Sequence, residues 1–264
     1  MLVLLPPSEG KAASGVGAPL DLGALALPAL NVRREQVLGA LVAVSTGDEA
    51  TALDVLGLSE GLRGELARNA LLRSAPALPA GELYTGVLYD ALGLADLAGD
   101  ARARAERSLL VFSGLWGAVR ITDRIPPYRC SGGVKLPPLG GLGAYWRKPM
   151  ADAMPEAAGD GLVLDLRSSA YAALWKPAGA VAERTATVRV LHERVVNGVT
   201  KRSVVSHFNK ATKGRLLRQL LESGAEPASP AELVEALREL KYTVEAAARA
   251  AGKPWALDVV VSEL

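Results

Sequence analysis

One stretch of the sequence is rich in basic residues and lies at the predicted start of a helix, a combination that suits anion binding. From Lys201 to Leu221 there are six lysines and arginines and no acidic residue. The segment Ser206–Arg218 (SHFNKATKGRLLR) follows a predicted strand and carries leucines at helical spacing. Because the whole chain has a net charge of only +2, this stretch could give a nearly neutral protein one positive face.

The cations of this stretch are predicted to lie at the helix start. Asn209 or Thr212 could cap the helix, which would place Lys210, Lys213 and Arg215 in or just before its first turn. Cations there oppose the helix dipole, and a bound anion would stabilise them. An ordinary amphipathic helix explains the leucines. It does not explain why the predicted helix start carries a cluster of cations and no acidic residue.

A second group of charged residues lies in the segment Ser113–Cys130 (SGLWGAVRITDRIPPYRC), whose glycines and prolines predict a tight loop. We expect Arg120, Asp123 and Arg129 to converge there. Arginine presents a planar fork that suits phosphate or carboxylate. Asp123 could orient one arginine through a salt bridge. For any one of these three residues taken alone, an ordinary surface ion pair is the alternative interpretation.

Three apolar runs predict buried strands, and each is followed by polar residues. The runs are Leu2–Leu5, Leu109–Phe112 and Leu162–Leu166. In open α/β sheets, ligand sites gather beyond the strand ends, so the loops that follow are candidate walls of one pocket. The candidate pocket-lining residues are Ser8, Glu9, Thr85, Ser113, Trp116, Tyr128, Arg167, Ser168, Tyr171 and Asn209.

Several common chemistries have no motif in this sequence. There is no G-x-x-x-x-G-K-[ST] loop, no G-x-G-x-x-G after a strand and no G-x-S-x-G nucleophile motif. The two histidines, His192 and His207, are not spaced as metal ligands, and Cys130 is the single cysteine. We therefore expect no metal site and no cofactor, while an enzyme of another kind stays open.

The hydrophobic patterns predict one mixed α/β domain, residues 1–264, with a helical N-terminal portion and a mixed sheet. Residues 31–75 carry three short helical patterns, and Thr46 with Glu49 has the form of a capping box. Half of the 264 residues are hydrophobic, which is enough for a sizeable core.

The C-terminal third contains a hairpin signal. Asn197-Gly198 between two β-rich runs predicts a two-residue turn. Helices are predicted from Ser229 to Leu240 and near Val244–Ala251, followed by an internal final strand, Ala256–Val261.

Cysteine usage and the N-terminus bear on where the protein acts. A single cysteine allows no internal disulfide, which agrees with a reducing compartment. The apolar run at the N-terminus is too short for a signal peptide or a membrane span. These features predict a cytoplasmic protein with no membrane partner, and we expect it to be a monomer.

Six stretches follow one another along nearly the full chain: LVLLPPSEGK, LYTGV, SGLWGAVRITDRIPPYR, LGAYW, LVLDLRSSAY and SHFNKATKGRLLR. Together they resemble the YaaA family, the family of peroxide stress proteins. The SGLWG…PYR stretch and the basic segment are fairly specific in combination. Where some relatives have Lys-Lys-Ala-Arg-Gly, this chain has NKATKG at 209–214, which keeps two basic positions.

The resemblance implies a single domain of an unusual mixed α/β fold with a positively charged cleft, whose walls would include Lys210, Arg120 and Arg129. It also implies binding to double-stranded DNA, with a helix-hairpin-helix-like element whose candidate here is Val55–Ser59. The cellular role it implies is protection of DNA and control of iron-driven damage during hydrogen peroxide stress.

Two functions are compatible with these residues. In the first, the protein binds the DNA backbone largely without sequence specificity, because nothing resembles a base-reading helix. Trp116, Tyr128 or Trp146 could stack on unpaired bases, although a buried Trp116 is the simpler interpretation. The residues expected to contact DNA phosphates or another anion are Lys11, Arg120, Arg129, Arg147, Lys148, Lys210, Lys213 and Arg215.

In the alternative, the protein is an enzyme that acts on a phosphorylated or carboxylated small molecule. Acid–base work would fall to Asp123, Tyr84 or a desolvated Lys210, and Arg120 is a fourth catalytic candidate. The pocket would be lined by Ser8, Tyr84, Arg120, Asp123, Arg129, Ser168 and Lys210. A deep narrow pocket favours this function, whereas an open groove about 20 Å wide, the scale of a duplex with its two grooves, favours DNA.

Overall fold

The computed structural model describes residues 1–196, 199–247 and 250–262. The strands in these residues are β1 (Leu2–Leu5), β2 (Leu78–Pro79), β3 (Leu109–Ser113), β4 (Gly117–Arg120), β5 (Arg124–Ile125), β6 (Lys135–Leu136), β7 (Gly140–Gly141), β8 (Val163–Asp165), β9 (Thr185–Val196), β10 (Val199–Ser203), β11 (Thr243–Ala246) and β12 (Trp255–Val261).

The α-helices are α1 (Asn31–Ser45), α2 (Glu49–Leu56), α3 (Gly64–Ala70), α4 (Ala80–Leu83), α5 (Val87–Leu92), α6 (Gly99–Ser108), α7 (Leu142–Ala158), α8 (Ser169–Ala172), α9 (Gly179–Glu183), α10 (Ser206–Ser223) and α11 (Pro230–Glu239). Short 3₁₀ turns cover Leu22–Ala24, Pro28–Leu30, Glu60–Leu62 and Leu94–Asp96. The predicted mixed α/β class is confirmed.

A mixed sheet organises the fold. Its strand order is β11-β12-β9-β8-β1-β3-β4, and β10 also pairs with β9. The inner strands β12, β9, β8, β1 and β3 run parallel to their neighbours in this series. Strands β4, β10 and β11 are antiparallel to β3, β9 and β12. One cluster of buried residues extends from Leu2 to Val259, so the sheet and its helices share a single core.

The three apolar runs of the sequence form adjacent parallel strands at the centre of the sheet. All residues of β1, β3 and β8 are buried, as continuous apolar runs require when both faces of a parallel sheet are covered. Val3 lies opposite Leu109, and Leu2 opposite Val163. All three strands therefore end at one edge, which we call the carboxyl edge, and begin at the other, the amino edge.

The helical portion forms where the sequence predicts it, but one of its caps differs. Helix α2 begins after Asp48, whose carboxylate accepts the backbone N–H of Thr51. Thr46 instead donates its hydroxyl to the carbonyl of Val42 at the end of α1. The capping-box prediction at Thr46 is therefore wrong by two residues. Gly57 ends α2 with a φ of 63°, the left-handed conformation that glycine adopts without strain.

The C-terminal third combines confirmed and corrected predictions. Strands β9 and β10 pair antiparallel from Val199↔Val196 to Ser203↔His192, as the hairpin signal predicts, while the Asn197-Gly198 turn lies outside the described residues. Strand β12 lies between β11 and β9, so the internal final strand is confirmed. The helix predicted near Val244–Ala251 is wrong, because β11 occupies its first residues and pairs with β12.

The start of α10 is also corrected. The helix begins at Ser206, with Val205 as an N-cap that provides no side-chain hydrogen bond. The predicted caps Asn209 and Thr212 lie inside the helix, so the predicted capping is wrong. The cations Lys210 and Lys213 belong to the second turn rather than the first, and the argument from an opposed helix dipole no longer supports an anion site there.

Two further features complete the architecture. Ser229 caps α11 by accepting the backbone N–H of Glu232, as predicted. Within the described ranges, no helix combines the length and the apolar character needed to cross a membrane.

Candidate functional site

Lys11 occupies a half-buried position just beyond the end of β1. Its ammonium group donates a hydrogen bond to the carbonyl of Ser8 at 2.8 Å. The same nitrogen lies 4.7 Å from the ring centre of Tyr128 and 5.7 Å from that of Tyr84, within the range of cation–π attraction. Lys11 is one of the anion contacts predicted from the sequence, and the structure brings it together with two predicted pocket residues, Tyr84 and Tyr128.

Burial lowers the pKa of Lys11 from 10.5 to about 8, since desolvation disfavours the ammonium form. The nearby carboxylate of Glu9 acts in the opposite direction and the guanidinium of Arg129 in the same direction. At such a pKa, roughly a tenth of the amine is neutral at pH 7 and about half at pH 8. Lys11 can therefore take up or release a proton under physiological conditions.

A chain of three hydroxyl groups lies beside Lys11. The hydroxyl of Tyr84 is 2.9 Å from that of Tyr128, which is 2.6 Å from the hydroxyl of Ser113 at the end of β3. Burial raises the pKa of both tyrosines above the ordinary value, so both stay protonated at neutral pH. The ring of Tyr89 stacks on Tyr84 with 5.5 Å between centres, and its hydroxyl donates to the carbonyl of Pro6.

Arg129 lies next to this chain and is held from two sides. Its guanidinium pairs with the carboxylate of Glu9 at 3.0 Å, and the Glu9 side chain is 60% exposed. Its backbone is bound by the buried Asn69 of α3, whose side chain accepts the N–H and donates to the carbonyl of Arg129, both at 2.8 Å. Sequence reasoning missed Asn69, because a lone asparagine that binds a distant backbone leaves no motif.

The loop before Lys11 and the turn after α4 approach closely. A Cβ atom on Gly86, whose φ is 99°, would lie 3.0 Å from the hydroxyl of Ser8. A Cβ atom on Gly10 would lie 2.9 Å from the hydroxyl of Thr85, whose N–H donates to the carbonyl of Gly10. The predicted pocket residues Ser8 and Thr85 therefore lie together at the rim of the site.

The loop after β8 contributes a buried ion pair. Arg167 donates to both carboxylate oxygens of Asp165, at 2.8 and 2.6 Å, and its guanidinium lies 4.2 Å from the ring centre of Phe112. Lys213 of α10 donates to the carbonyl of Leu166 at 3.3 Å. Burial lowers the pKa of Lys213, while Asp165 opposes that shift. The pair orders the end of β8, and Lys213 is a second desolvated lysine at the carboxyl edge.

Tyr171 of α8 and the segment after Arg129 form another side of the site. The backbone N–H of Gly132 donates to the Tyr171 hydroxyl at 3.2 Å, and a Cβ atom on Gly132 would meet the ring at 2.8 Å. Ser168, just before α8, is exposed. Cys130 is buried, and burial raises its pKa to about 12, which keeps it a thiol at neutral pH.

The structure does not bring Arg120 and Asp123 to this site. Strand β4 is antiparallel to β3, with Arg120 opposite Leu110, so both residues lie at the amino edge. Arg120 donates to the carbonyl of Arg107, and Asp123 accepts the N–H groups of Arg120 and Ala26. The expectation that Arg120 and Asp123 converge with Arg129 is wrong. Strand β4 runs antiparallel to β3 and therefore places both residues at the amino edge, away from Arg129.

The three aromatic residues considered for base stacking are buried. Trp116 and Trp146 are inaccessible and Tyr128 is 1% exposed, so none of these rings is available to a base. Trp116 packs edge-on against Tyr128, and the indole N–H of Trp146 donates to the carbonyl of Gly114. The interpretation of Trp116 as a buried residue is confirmed. The prediction that Tyr128 or Trp146 stacks on bases is wrong in this conformation.

The remaining predicted cations lie on the surface. Lys210 and Arg215 are exposed on α10, Arg147 and Lys148 are exposed on α7, and Asn209 is half-buried. None of the described contacts around Lys11 involves them. The prediction of a desolvated Lys210 is therefore wrong, because Lys210 is exposed.

An open groove of about 590 Å³ lies beside the site. It is bounded by the end of α2, which includes the first residues of the Val55–Ser59 segment, and by Ser131, Gly133, Val134 and Lys135. The segment between α2 and α3 contains the left-handed Gly57 and a 3₁₀ turn at Glu60–Leu62. In the described part of the chain, no group of three or more histidine, cysteine or acidic residues could hold a metal ion.

Fold and site together define a mixed α/β protein with a desolvated lysine, a hydroxyl chain and an arginine at the carboxyl edge of its central strands. The family model for the peroxide stress protein YaaA matches residues 1–248. The chain belongs to this YaaA family, as its sequence stretches indicated.

Several curated relatives carry the designation UPF0246. A UPF0246 protein of Streptomyces coelicolor is 69% identical over 265 residues, covering all of both chains. One of Corynebacterium efficiens is 47% identical over 249 residues, covering 93% of this chain and 95% of the relative. One of Salinispora tropica is 30% identical over 239 residues, covering 87% and 85%.

Proposed function

We propose that this protein is an enzyme that acts on a small phosphorylated or carboxylated molecule at the carboxyl edge. Lys11 is its acid–base group, and Arg129 binds the negative charge of the substrate. The observation that carries the proposal is the desolvated amine of Lys11, which lies over two tyrosine rings and has a pKa of about 8. A group with that pKa exchanges protons efficiently near neutral pH.

The electrostatics around Lys11 favour an anionic substrate. Lys11 and Arg129 repel each other, as the lowering of the Lys11 pKa by Arg129 reflects. Glu9 offsets this repulsion, but its side chain is mostly exposed. Exposed ion pairs contribute only about 0–1 kcal/mol, so a phosphate or carboxylate can replace Glu9 on Arg129 at little cost. Bidentate binding to the guanidinium would then orient the substrate beside Lys11.

The alternative role in DNA binding is less well supported by this arrangement. The two lysines at the carboxyl edge, Lys11 and Lys213, are largely withdrawn from the surface, and Arg129 is paired with Glu9. A duplex needs many accessible cations along one face, because its affinity comes from phosphate contacts. Cations withdrawn from the surface suit a small ligand better than a rod about 20 Å wide.

DNA binding remains the second candidate, because four of the predicted phosphate contacts are exposed. Lys210 and Arg215 lie in the acid-free stretch that includes α10, and Arg147 and Lys148 lie on α7. In this proposal a positively charged cleft and a helix-hairpin-helix-like element at Val55–Ser59 hold double-stranded DNA during peroxide stress. Binding to a short duplex should then weaken steeply between 50 and 200 mM salt, by roughly tenfold per pair of phosphate contacts. Affinity that is insensitive to salt, or that survives alanine at all four cations, contradicts this candidate.

The enzyme proposal is tested by an unbiased search for turnover. The wild-type protein and Lys11→Met are incubated with a panel of phosphorylated and carboxylated metabolites, and conversion is followed by mass spectrometry. The matched control is Lys176→Met, which changes an exposed lysine outside the site. We expect conversion of at least one compound by the wild type and the control, and none by Lys11→Met. Conversion that persists in Lys11→Met, or no conversion by the wild type across both classes, overturns the proposal.

A further inference from the structure

The open groove beside the site has one wall at the carboxyl end of α2, and this wall is negative. Asp54 lies in the last turn of the helix, where there is no basic residue, and it lines the groove. The last two carbonyls of the helix, those of Val55 and Leu56, accept no hydrogen bond within the described residues. A helix carries partial negative charge at this end and favours a cation there. This wall therefore suits an ammonium group.

The other wall, formed by the segment that follows Cys130, carries the opposite charge. Its cation is Lys135, which is exposed and lines the groove. Over the described ranges, neither Lys135 nor Asp54 takes part in a side-chain hydrogen bond or an ion pair. The groove thus presents two opposite charges that do not neutralise each other. Apart from Ser131, the rest of its lining is apolar or glycine: Val55, Leu56, Gly57, Gly133 and Val134.

Both walls are held by backbone hydrogen bonds, so the groove is formed before a ligand arrives. At the end of α2, Leu58 donates to the carbonyl of Leu53 at 2.8 Å. In the other wall, Val134 donates to the carbonyl of Ser131 at 3.2 Å and accepts the N–H of Leu142 at 3.0 Å. Small-ligand pockets have volumes of about 300–1,000 Å³, and the groove, at about 590 Å³, has a suitable size. A preformed groove also lowers the entropy cost of binding.

We propose that this groove binds a small zwitterion whose ammonium and carboxylate are separated by an apolar chain, in chemical terms an ω-amino acid. The ammonium pairs with Asp54 and the free carbonyls of α2, the carboxylate pairs with Lys135, and the methylene chain covers Val55 and Val134. A simple carboxylate neutralises only Lys135 and is repelled by Asp54. A simple ammonium neutralises only Asp54 and is repelled by Lys135. The two walls therefore select a ligand that carries both charges.

This groove is separate from the proposed acid–base site, because neither Lys11 nor Arg129 lines it. The inference goes beyond the proposed function, and either can fail without the other. Lys11→Met should therefore bind an ω-amino acid as tightly as the wild type does. Loss of that binding in Lys11→Met would show that the ligand occupies the acid–base site, which overturns the inference.

An NMR titration of the full-length protein, labelled with nitrogen-15, tests the groove at pH 7. The probes are 4-aminobutanoate and 6-aminohexanoate, with hexanoate and hexylammonium as singly charged controls. The amide signals of Gly57 and Gly133, one from each wall, report binding in the groove. We expect an ω-amino acid to shift both signals and to bind roughly fivefold to tenfold more tightly than either control, the gain from one additional ion pair. No shift of these signals with either ω-amino acid, or equal affinity for hexanoate, overturns the inference.

Variants that remove one charge assign the two ends of the ligand. Asp54→Asn should bind 6-aminohexanoate no better than hexanoate, and Lys135→Met should bind it no better than hexylammonium. The matched controls Asp152→Asn and Lys176→Met change exposed residues outside the groove and should keep the wild-type affinity. Asp54 and Lys135 are exposed, so both variants should fold, which unchanged signals away from the groove verify. A preference for 6-aminohexanoate that survives in Asp54→Asn overturns the inference.

Discussion

The two edges of the central strands contain similar residue types in opposite situations. At the amino edge, Asp123 accepts backbone N–H groups from Ala26 and Arg120, and the Arg120 guanidinium donates to the carbonyl of Arg107. At the carboxyl edge, Lys11 is desolvated and its described hydrogen-bond partner is a single carbonyl.

The difference separates charges that hold the fold from charges that do chemistry. A buried charge whose bonds go to the backbone is committed to one conformation, and removing it leaves unsatisfied groups behind. A desolvated charge with few partners costs stability, and such costs concentrate at functional sites. Opposite effects on stability are therefore expected from substitution of Asp123 at the amino edge and of Lys11 at the carboxyl edge.

The largest expected effect is at the amino edge. Asp123→Ala leaves the N–H groups of Ala26 and Arg120 without a partner in a buried place. At about 1–3 kcal/mol for each group, the free energy of unfolding should fall by about 4 kcal/mol. Urea denaturation measures this, with the exposed Asp160→Ala as the matched control. A loss below about 0.5 kcal/mol contradicts the structural role of Asp123.

The opposite sign is expected at the carboxyl edge. The folded pKa of Lys11 is about 8 against 10.5 for the free side chain, so burial of the ammonium destabilises the fold by up to about 3 kcal/mol below pH 8. Lys11→Met removes this cost. The variant should be more stable than the wild type at pH 6 to 7, and the difference should shrink as pH rises from 8 to 10.5, where the lysine is neutral in both states. A variant less stable than the wild type at pH 6 counts against this account.

A smaller effect is expected where the helical portion contacts the site. Asn69→Ala removes both hydrogen bonds to the backbone of Arg129 and should cost about 2 kcal/mol of unfolding free energy. It should also weaken the binding of inorganic phosphate, because Arg129 loses its fixed position. Asn69→Asp retains the bond to the N–H and should be intermediate in both measurements. Unchanged phosphate affinity in both variants would show that Arg129 is positioned by other contacts.

The smallest effect is expected for Arg120. Its bond to the carbonyl of Arg107 is exposed, so Arg120→Ala should change the free energy of unfolding by less than about 1 kcal/mol. Because Arg120 lies at the amino edge, phosphate binding should not change. A marked loss of phosphate binding by Arg120→Ala would show that Arg120 takes part in the site. That result would contradict the difference between the two edges.

The central strands could be predicted because buried parallel strands appear as continuous apolar runs. Leu2–Leu5 matches β1 completely, and the polar residues after the three runs do meet at one edge. The position of Arg120 could not be predicted in the same way. The short strand β4 has a glycine and an alanine among its four residues, and nothing in the sequence shows that it turns back along β3.

The desolvation of Lys11 could not be predicted from the sequence either. Burial lowers its pKa, and the rings that lie against its amine, Tyr84 and Tyr128, are 44 residues apart and meet only through tertiary packing. The start of α10 was predicted too late because Val205 provides no side-chain cap to mark it. Caps and strand runs are local signals, whereas desolvation and the fixed backbone of Arg129 arise from contacts between distant segments.

The pH dependence of Lys11 modification tests the central claim most directly. The protein is briefly treated with formaldehyde and cyanoborohydride at a series of pH values, and the initial rate of Lys11 methylation is quantified by peptide mass spectrometry. Only the neutral amine reacts, so the rate at Lys11 follows its deprotonated fraction. A midpoint near pH 8 supports a desolvated acid–base lysine at the carboxyl edge. A midpoint near the ordinary value of 10.5 contradicts it.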